Sequence, residues 1–261
     1  MRILCSAALA ALFIGTSANA APTNYPAQQS TITYSTTSGV TSGFRNYARA
    51  TSTVIYDPST DTYTIRDTGS LTTKSSFGPS DIASNSGNFT LYSKTGGAET
   101  FRLLDKASVG LTYVDYGEWL RSSAASGTTS VNDTYLVFGS KTPGASVPTT
   151  GSGSYSTIYD GSFADKNGGH ALNGTGSMTA NFGTGVLSYS AAINGVPSGP
   201  LAFSGSGSIN FKTVAFSTTT SSSGYSFSQT GNFYGPSATE VGGLFRLWNM
   251  TGAGQGAFVG H

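Results

Sequence analysis

From Tyr155 onward the apolar positions of the chain fall on alternate residues, the spacing of a half-buried strand. Tyr155, Thr157, Tyr159, Gly161 and Phe163 share one face, Gly174, Gly176, Met178, Ala180 and Phe182 a second, and Leu187, Tyr189, Ala191 and Ile193 a third that ends at Asn194-Gly195. Leu201, Phe203, Gly205, Gly207, Ile209 and Phe211 form the next, opposed by Ser204, Ser206, Ser208 and Asn210. Val214, Phe216 and Thr218 follow, then Tyr225, Phe227, Gln229, Gly231 and Phe233, then Val241, Gly243, Phe245 and Leu247, with Ala257 to Gly260 in the last. About eight consecutive strands joined by short turns remove their own edges by closing into an antiparallel up-and-down barrel. An interior of that size is filled by side chains, and the glycines among the aromatic residues leave room for the rings.

Ahead of this block, "ASVPTTGSGS" from Ala145 to Ser154 reads as a linker or strand entry. The region before it is less regular but strand-like. "STVIYDPSTDTYTIRD" predicts two strands around the turn Asp57 to Asp61, and "NFTLYSK" and "ETFRLLDK" flank Thr95 to Ala98 in the same way. "GLTYVDYGEWLRS" and "DTYLVFGS" predict a further pair, and the region leaves space for a short helix of unfixed position. The expected fold class is all-β: an eight-stranded barrel preceded by a smaller β-rich domain.

Composition narrows the function. Arg2, the apolar run Ile3 to Gly15 and the small-residue site Ala18-Asn19-Ala20 predict an export signal over residues 1–20. The single cysteine, Cys5, lies inside it, so a mature chain from Ala21 has no disulfide and no thiol chemistry, and no lipoprotein cysteine follows the apolar run. With 10% charged residues and acids and bases in near balance, there is no electrostatic footprint for nucleic acid. The 12% aromatic content argues for a packed core despite 35 glycines.

The block "GNFYGPSATEVGGLFRL", closed by "GAFVGH" and preceded by "SGSYSTIYDGSF", "GTGSMTANFGTGVLSYS" and "FSGSGSI", resembles the barrel domain of transferrin-binding protein B and its relatives among bacterial surface and secreted binding proteins. "LTYVDYGEW" followed by "YLVFG" is similar, more loosely, to the handle domain that precedes that barrel. The resemblance implies a handle over residues 21–147, a barrel over 148–261 and a non-enzymatic exported binding protein. It further implies an iron source as ligand: an iron-carrier protein, haemoglobin or haem. The named receptor has two lobes and an anchoring cysteine, whereas this chain has length for one lobe and lacks that cysteine. A monomer, extracellular, outer-membrane-associated or periplasmic, is the expectation. An outer-membrane-embedded barrel and a surface adhesin without small ligand are the alternatives.

Within that block, Phe233, Tyr234, Gly235 and Pro236 read as strand and turn, and Glu240 opens the next strand. Glu240 is expected to accept backbone N–H bonds and tie its turn to the barrel end. Gly242 and Gly243 are expected to let the strand bend and approach a neighbouring backbone.

Candidate chemistry is sparse. No G-x-S-x-G elbow or phosphate-binding G-x-x-x-x-G-K-[ST] occurs. Asp67-Thr68-Gly69-Ser70 matches half of an aspartic-protease pair and reads as a turn. With two histidines, His170 and His261, a multi-imidazole metal site within one chain is excluded. His170, in a Gly-rich loop, is the candidate axial ligand if haem is bound. Tyr113, Tyr116, Trp119 and Arg121 are the candidate partner-binding residues, since aromatics beside arginine anchor interfaces. Alternation turns Tyr113 and Tyr116 to opposite faces, so part of this cluster is expected to be core between handle and barrel.

Overall fold

The alternating segments become seventeen strands among the described residues. A computed structural model describes residues 20–67 and 73–261. In the first sheet the strands are β1 (Thr23–Thr37), β2 (Val40–Asp57), β3 (Thr62–Asp67), β4 (Thr73–Phe77), β5 (Ile82–Ser86), β6 (Phe89–Lys94), β7 (Glu99–Leu104), β8 (Val114–Ala125) and β9 (Thr128–Gly139). The second comprises β10 (Ser152–Asp165), β11 (Gly168–Asn181), β12 (Val186–Asn194), β13 (Leu201–Asn210), β14 (Ala215–Ser222), β15 (Tyr225–Tyr234), β16 (Glu240–Trp248) and β17 (Gly252–Gly260). No α-helix occurs among the described residues; the short helix expected in the first region is replaced by single 3-10 turns, such as Lys106–Val109. No described helix is long and apolar enough to cross a membrane. The predicted export signal up to residue 19, with Cys5, and the turn Thr68 to Ser70 lie outside the described residues.

Strands β10 to β17 pair in sequence order, and β10 pairs with β17, from Thr157 against Gly260 to Asp165 against Gly252, closing the barrel. Inside, rings fill the lumen: Phe203 stacks on Phe227 at 4.6 Å, and Tyr159 lies 5.5 Å from Phe258 and 5.7 Å from Phe245. The buried Tyr159 hydroxyl donates to Gln229 Oε1 at 3.1 Å, satisfying the polar tip of a large apolar side chain. Outward positions of β11 to β13 are solvated Ser, Thr, Asn and Ala, such as Ser177, Ser190 and Ser204. A lipid-facing strand carries an apolar band there instead. Phe211 departs from the expected inward row. Strand β13 ends at Asn210, and Phe211 enters the turn at 37% exposure.

Glycine spacing inside the barrel is steric. A Cβ on Gly243 would come within 2.5 Å of Gly231 Cα on β15 and 2.8 Å of the Phe258 ring. Gly243→Ala therefore overpacks the lumen, with an expected loss of about 1–3 kcal/mol. An unchanged urea midpoint in that variant would show that the strands part without penalty.

The first sheet runs β4-β3-β2-β1-β9-β8-β7-β6-β5. It curls until β6 comes beside β4: Lys94 on β6 donates to the Ser76 carbonyl on β4 and lies 5.1 Å over the Phe77 ring. The concave face holds Phe77, Tyr92, Phe101, Trp119 and Phe138. The convex face carries Val114, Tyr116, Tyr135 and Val137, which pack with Tyr234, Leu244, Ala257 and Val259 of the barrel. Both faces of the middle strands are thus buried, one on the sheet's own core and one on the barrel.

Candidate functional site

The seam between the curled sheet and the barrel gathers several buried polar groups, among them Ser30, Asp133, Glu240 and Gln255. Glu240, 4% exposed, accepts the backbone N–H groups of Thr112 (2.7 Å), Tyr113 (2.9 Å) and Val114 (2.9 Å). These donors lie at the entry to β8. The expectation that Glu240 ties its own turn to the barrel end is corrected: its partners belong to the other sheet. A carboxylate is suited to the task, because it offers several acceptor lone pairs to converging donors and each bond is charge-assisted.

The turn before Glu240 is fixed from three sides. Gly235, at φ +73°, donates its N–H to Ser140 O at 2.9 Å and packs against Tyr113 where a side chain would sit. Thr142 Oγ1 donates to Gly235 O at 2.7 Å, and Tyr155 Oη donates to Ala238 O at 2.6 Å. Pro236 begins the 3-10 turn, Phe233 points into the lumen, and Tyr234 is buried in the seam. Gly242 and Gly243 serve opposite faces. A Cβ on Gly242 would lie 2.6 Å from Val114 Cγ2 of the curled sheet, while Gly243 faces the lumen.

A second cluster crosses the seam about the only cation it contains among the described residues. Arg102 on β7 donates through Nε to Glu118 Oε2 on β8 at 2.7 Å, and through Nη2 to Asp160 Oδ2 on β10 at 2.5 Å. Tyr116 also hydrogen-bonds Asp160. Burial, outweighing Arg102, pushes the Asp160 carboxyl up to about 6. Asp133 on β9, 2% exposed, accepts the Ser162 hydroxyl of β10, while its Oδ1 and the Tyr135 hydroxyl find no partner. Gln255 on β17 donates to Asp133 O at 2.6 Å and accepts from Ser30 Oγ of β1 at 2.6 Å. Arg102, Asp133, Asp160 and Gln255 escaped the sequence reading. The signal was available: Asp133 and Asp160 are acids inside strands of a charge-poor chain.

The sequence-predicted candidates do not converge. Tyr116 is buried in the seam and Trp119 in the concave aromatic core, its indole donating to Glu99 at 2.9 Å. Tyr113 is half-buried against the barrel turn, and Arg121 lies 4.0 Å over the Trp119 ring. His170 sits within β11, not in a loop, with Nε2 3.2 Å from Asp165 Oδ1 and its ring 6.4 Å from Phe163. An axial ligand needs a free ring nitrogen facing an apolar slot for the macrocycle. Here Nε2 is paired with Asp165, which leaves Nδ1 as the ring nitrogen without that partner, and the 370 Å³ cavity at the seam is lined by Val109, Leu111, Ile158 and His261. No group of His, Cys, Asp and Glu able to hold a metal ion occurs among the described residues.

Exposed apolar groups lie elsewhere. Trp248, at 39% exposure, and the fully exposed Met250 mark the β16–β17 hairpin. That hairpin stands beside the β10–β11 turn, because Gly252 pairs with Asp165. The tip of the β1–β2 hairpin reaches the same place: Thr41 N–H donates to Lys166 O at 3.2 Å, beside the exposed Val40.

A curled β-sheet seated on a filled, closed eight-stranded barrel is a fold also seen in solved structures of other proteins. The particular likeness is to transferrin-binding protein B. The isotype 1 protein of serogroup B Neisseria meningitidis superposes with a TM-score of 0.50 at 13% identity, over 88% of this chain and 43% of that one. A variant of the Haemophilus parasuis protein gives 0.49 at 17% identity, over 84% of this chain and 48% of that one. The chain thus spans less than half the length of either. A surface lipoprotein gives 0.46 at 13% identity, covering 90% and 98%. No family model and no curated protein matches the chain.

Proposed function

We propose that the chain is an exported, non-enzymatic binding lobe, with a leader at 1–20, a handle at 21–147 and a barrel at 148–261, and that its partner is an iron-carrying protein. The observation that carries this reading is the handle-on-barrel architecture shared with the meningococcal transferrin-binding protein. Fold alone does not assign a ligand. The filled lumen adds to it, because a barrel packed by Phe203, Phe227, Phe245 and Phe258 leaves the outside for binding. Aromatic and methionine side chains are favoured interface anchors. Trp248 and Met250 therefore take the anchoring role here.

The test is binding of residues 21–261 to immobilised transferrin, lactoferrin and haemoglobin, with haemin as a fourth probe. Saturable binding to one carrier, weakened about tenfold or more by Trp248→Ser with Met250→Ser, is expected. Binding to none of the three overturns the reading. A saturable Soret shift with haemin that His170→Ala abolishes would replace the protein partner by haem.

A further inference from the structure

The structure assigns to Asp133 the role of a proton-sensitive pin between handle and barrel: with its carboxyl protonated the seam is closed, and its ionisation places an unpaired charge on the buried Oδ1 and loosens the seam. This goes beyond the identity of the partner. It concerns how firmly the two halves are held.

The geometry sets the balance of charge. Facing Asp133 are Glu118 from β8, Arg102 from β7, Tyr135 on its own strand, Asp160 and Ser162 from β10, and Tyr34 from β1. Arg102 is already shared between Glu118 and Asp160, at 2.7 and 2.5 Å. An ionised Asp133 would add a third carboxylate to one guanidinium. Its Oδ1 would bear that charge with no donor to receive it and no exposure to water. An unpaired buried charge of this kind is avoided by holding the proton. Burial first, and then the Glu118 charge, push the Asp133 carboxyl well above the usual carboxylate range. The seam stabilisation is accordingly present at low pH and lost as pH rises through that elevated value.

The experiment is hydrogen exchange of the full lobe across pH, corrected for intrinsic exchange and read at seam amides of β9 and β10. Protection there is expected to fall about tenfold or more as pH rises above the usual carboxylate range, and to fall further than at amides in β12 and β13. Asp133→Asn carries no titratable proton at that position and is expected to flatten the fall. Ser162→Ala loses the hydroxyl donor yet keeps the titration, so its slope persists. A flat wild-type profile, or an equal slope in Asp133→Asn, overturns the assignment. Should Asp133→Asn not fold, infrared spectra of the carboxyl-labelled Asp115→Asn protein decide the matter. A protonated aspartic acid band present at neutral pH and lost on alkalinisation supports the pin, and its absence at neutral pH overturns it.

Discussion

Glu240→Ala is expected to lower the unfolding free energy by about 3–5 kcal/mol, the largest effect of any single substitution outside the aromatic cores. Three backbone N–H groups at Thr112, Tyr113 and Val114 lose their acceptor together, and Val114 is fully buried. An orphaned buried donor costs about 1–3 kcal/mol, with water recovering part at the exposed Thr112. Glu240→Gln keeps the shape and one acceptor oxygen but turns an amide N–H toward a donor, so it falls between the variant and the wild type. Urea unfolding at fixed pH measures both. Equal midpoints in all three proteins would show that the carboxylate contributes nothing to joining the two sheets.

The second large effect is a loss of stability as pH rises. Asp115 is buried in the curled sheet, with Oδ1 accepting Tyr116 N–H at 2.8 Å, and burial pushes it up to about 8, Lys106 offsetting this only in part. In the unfolded chain the same group ionises near about 4. Between these values the unfolded state has released a proton that the folded state still holds. The contribution is therefore complete below about pH 4 and lost as pH rises through about 8, on the order of 5 kcal/mol in all. Asp160, raised to about 6, acts in the same direction over a narrower window. Asp115→Asn preserves the acceptor for Tyr116 N–H and removes the titration. Its urea midpoint is expected to vary less than that of the wild type across pH 4, 6 and 8, and parallel curves would sink the attribution to Asp115.

The barrel was legible because one face of each strand meets the lumen and the other meets water. Tyr155 to Phe163 and Leu187 to Ile193 alternate cleanly for that reason. Strand β8 was not legible in the same way, since Asp115 and Tyr116 face different cores and both are buried. Period two divides the residues of such a strand without saying what covers either side, and Tyr116 and Trp119 accordingly looked available for a partner. Glu240 was readable as an acceptor of N–H bonds, but not its donors, which come from a segment more than a hundred residues away along the chain. The Arg102, Asp133 and Asp160 cluster is a product of docking, in which three strands contribute one group each. The exposed Trp248 and Met250 carried a signal in "LWNMTG": apolar residues at a hairpin tip.

The position of the handle has a kinetic meaning. It lies over β16, β17 and β10, the strands on either side of the seam where the barrel closes. Closure joins Thr157 to Gly260, the most distant neighbours in the barrel sequence, and such pairings carry the largest loop entropy and form last. A handle made earlier in synthesis, and already holding β10 through Asp160 and Ser162, presents Ser30 and the Asp133 carbonyl to the arriving Gln255 of β17. The late strand thus meets a template as well as an edge, and registration of the final pair becomes a local search.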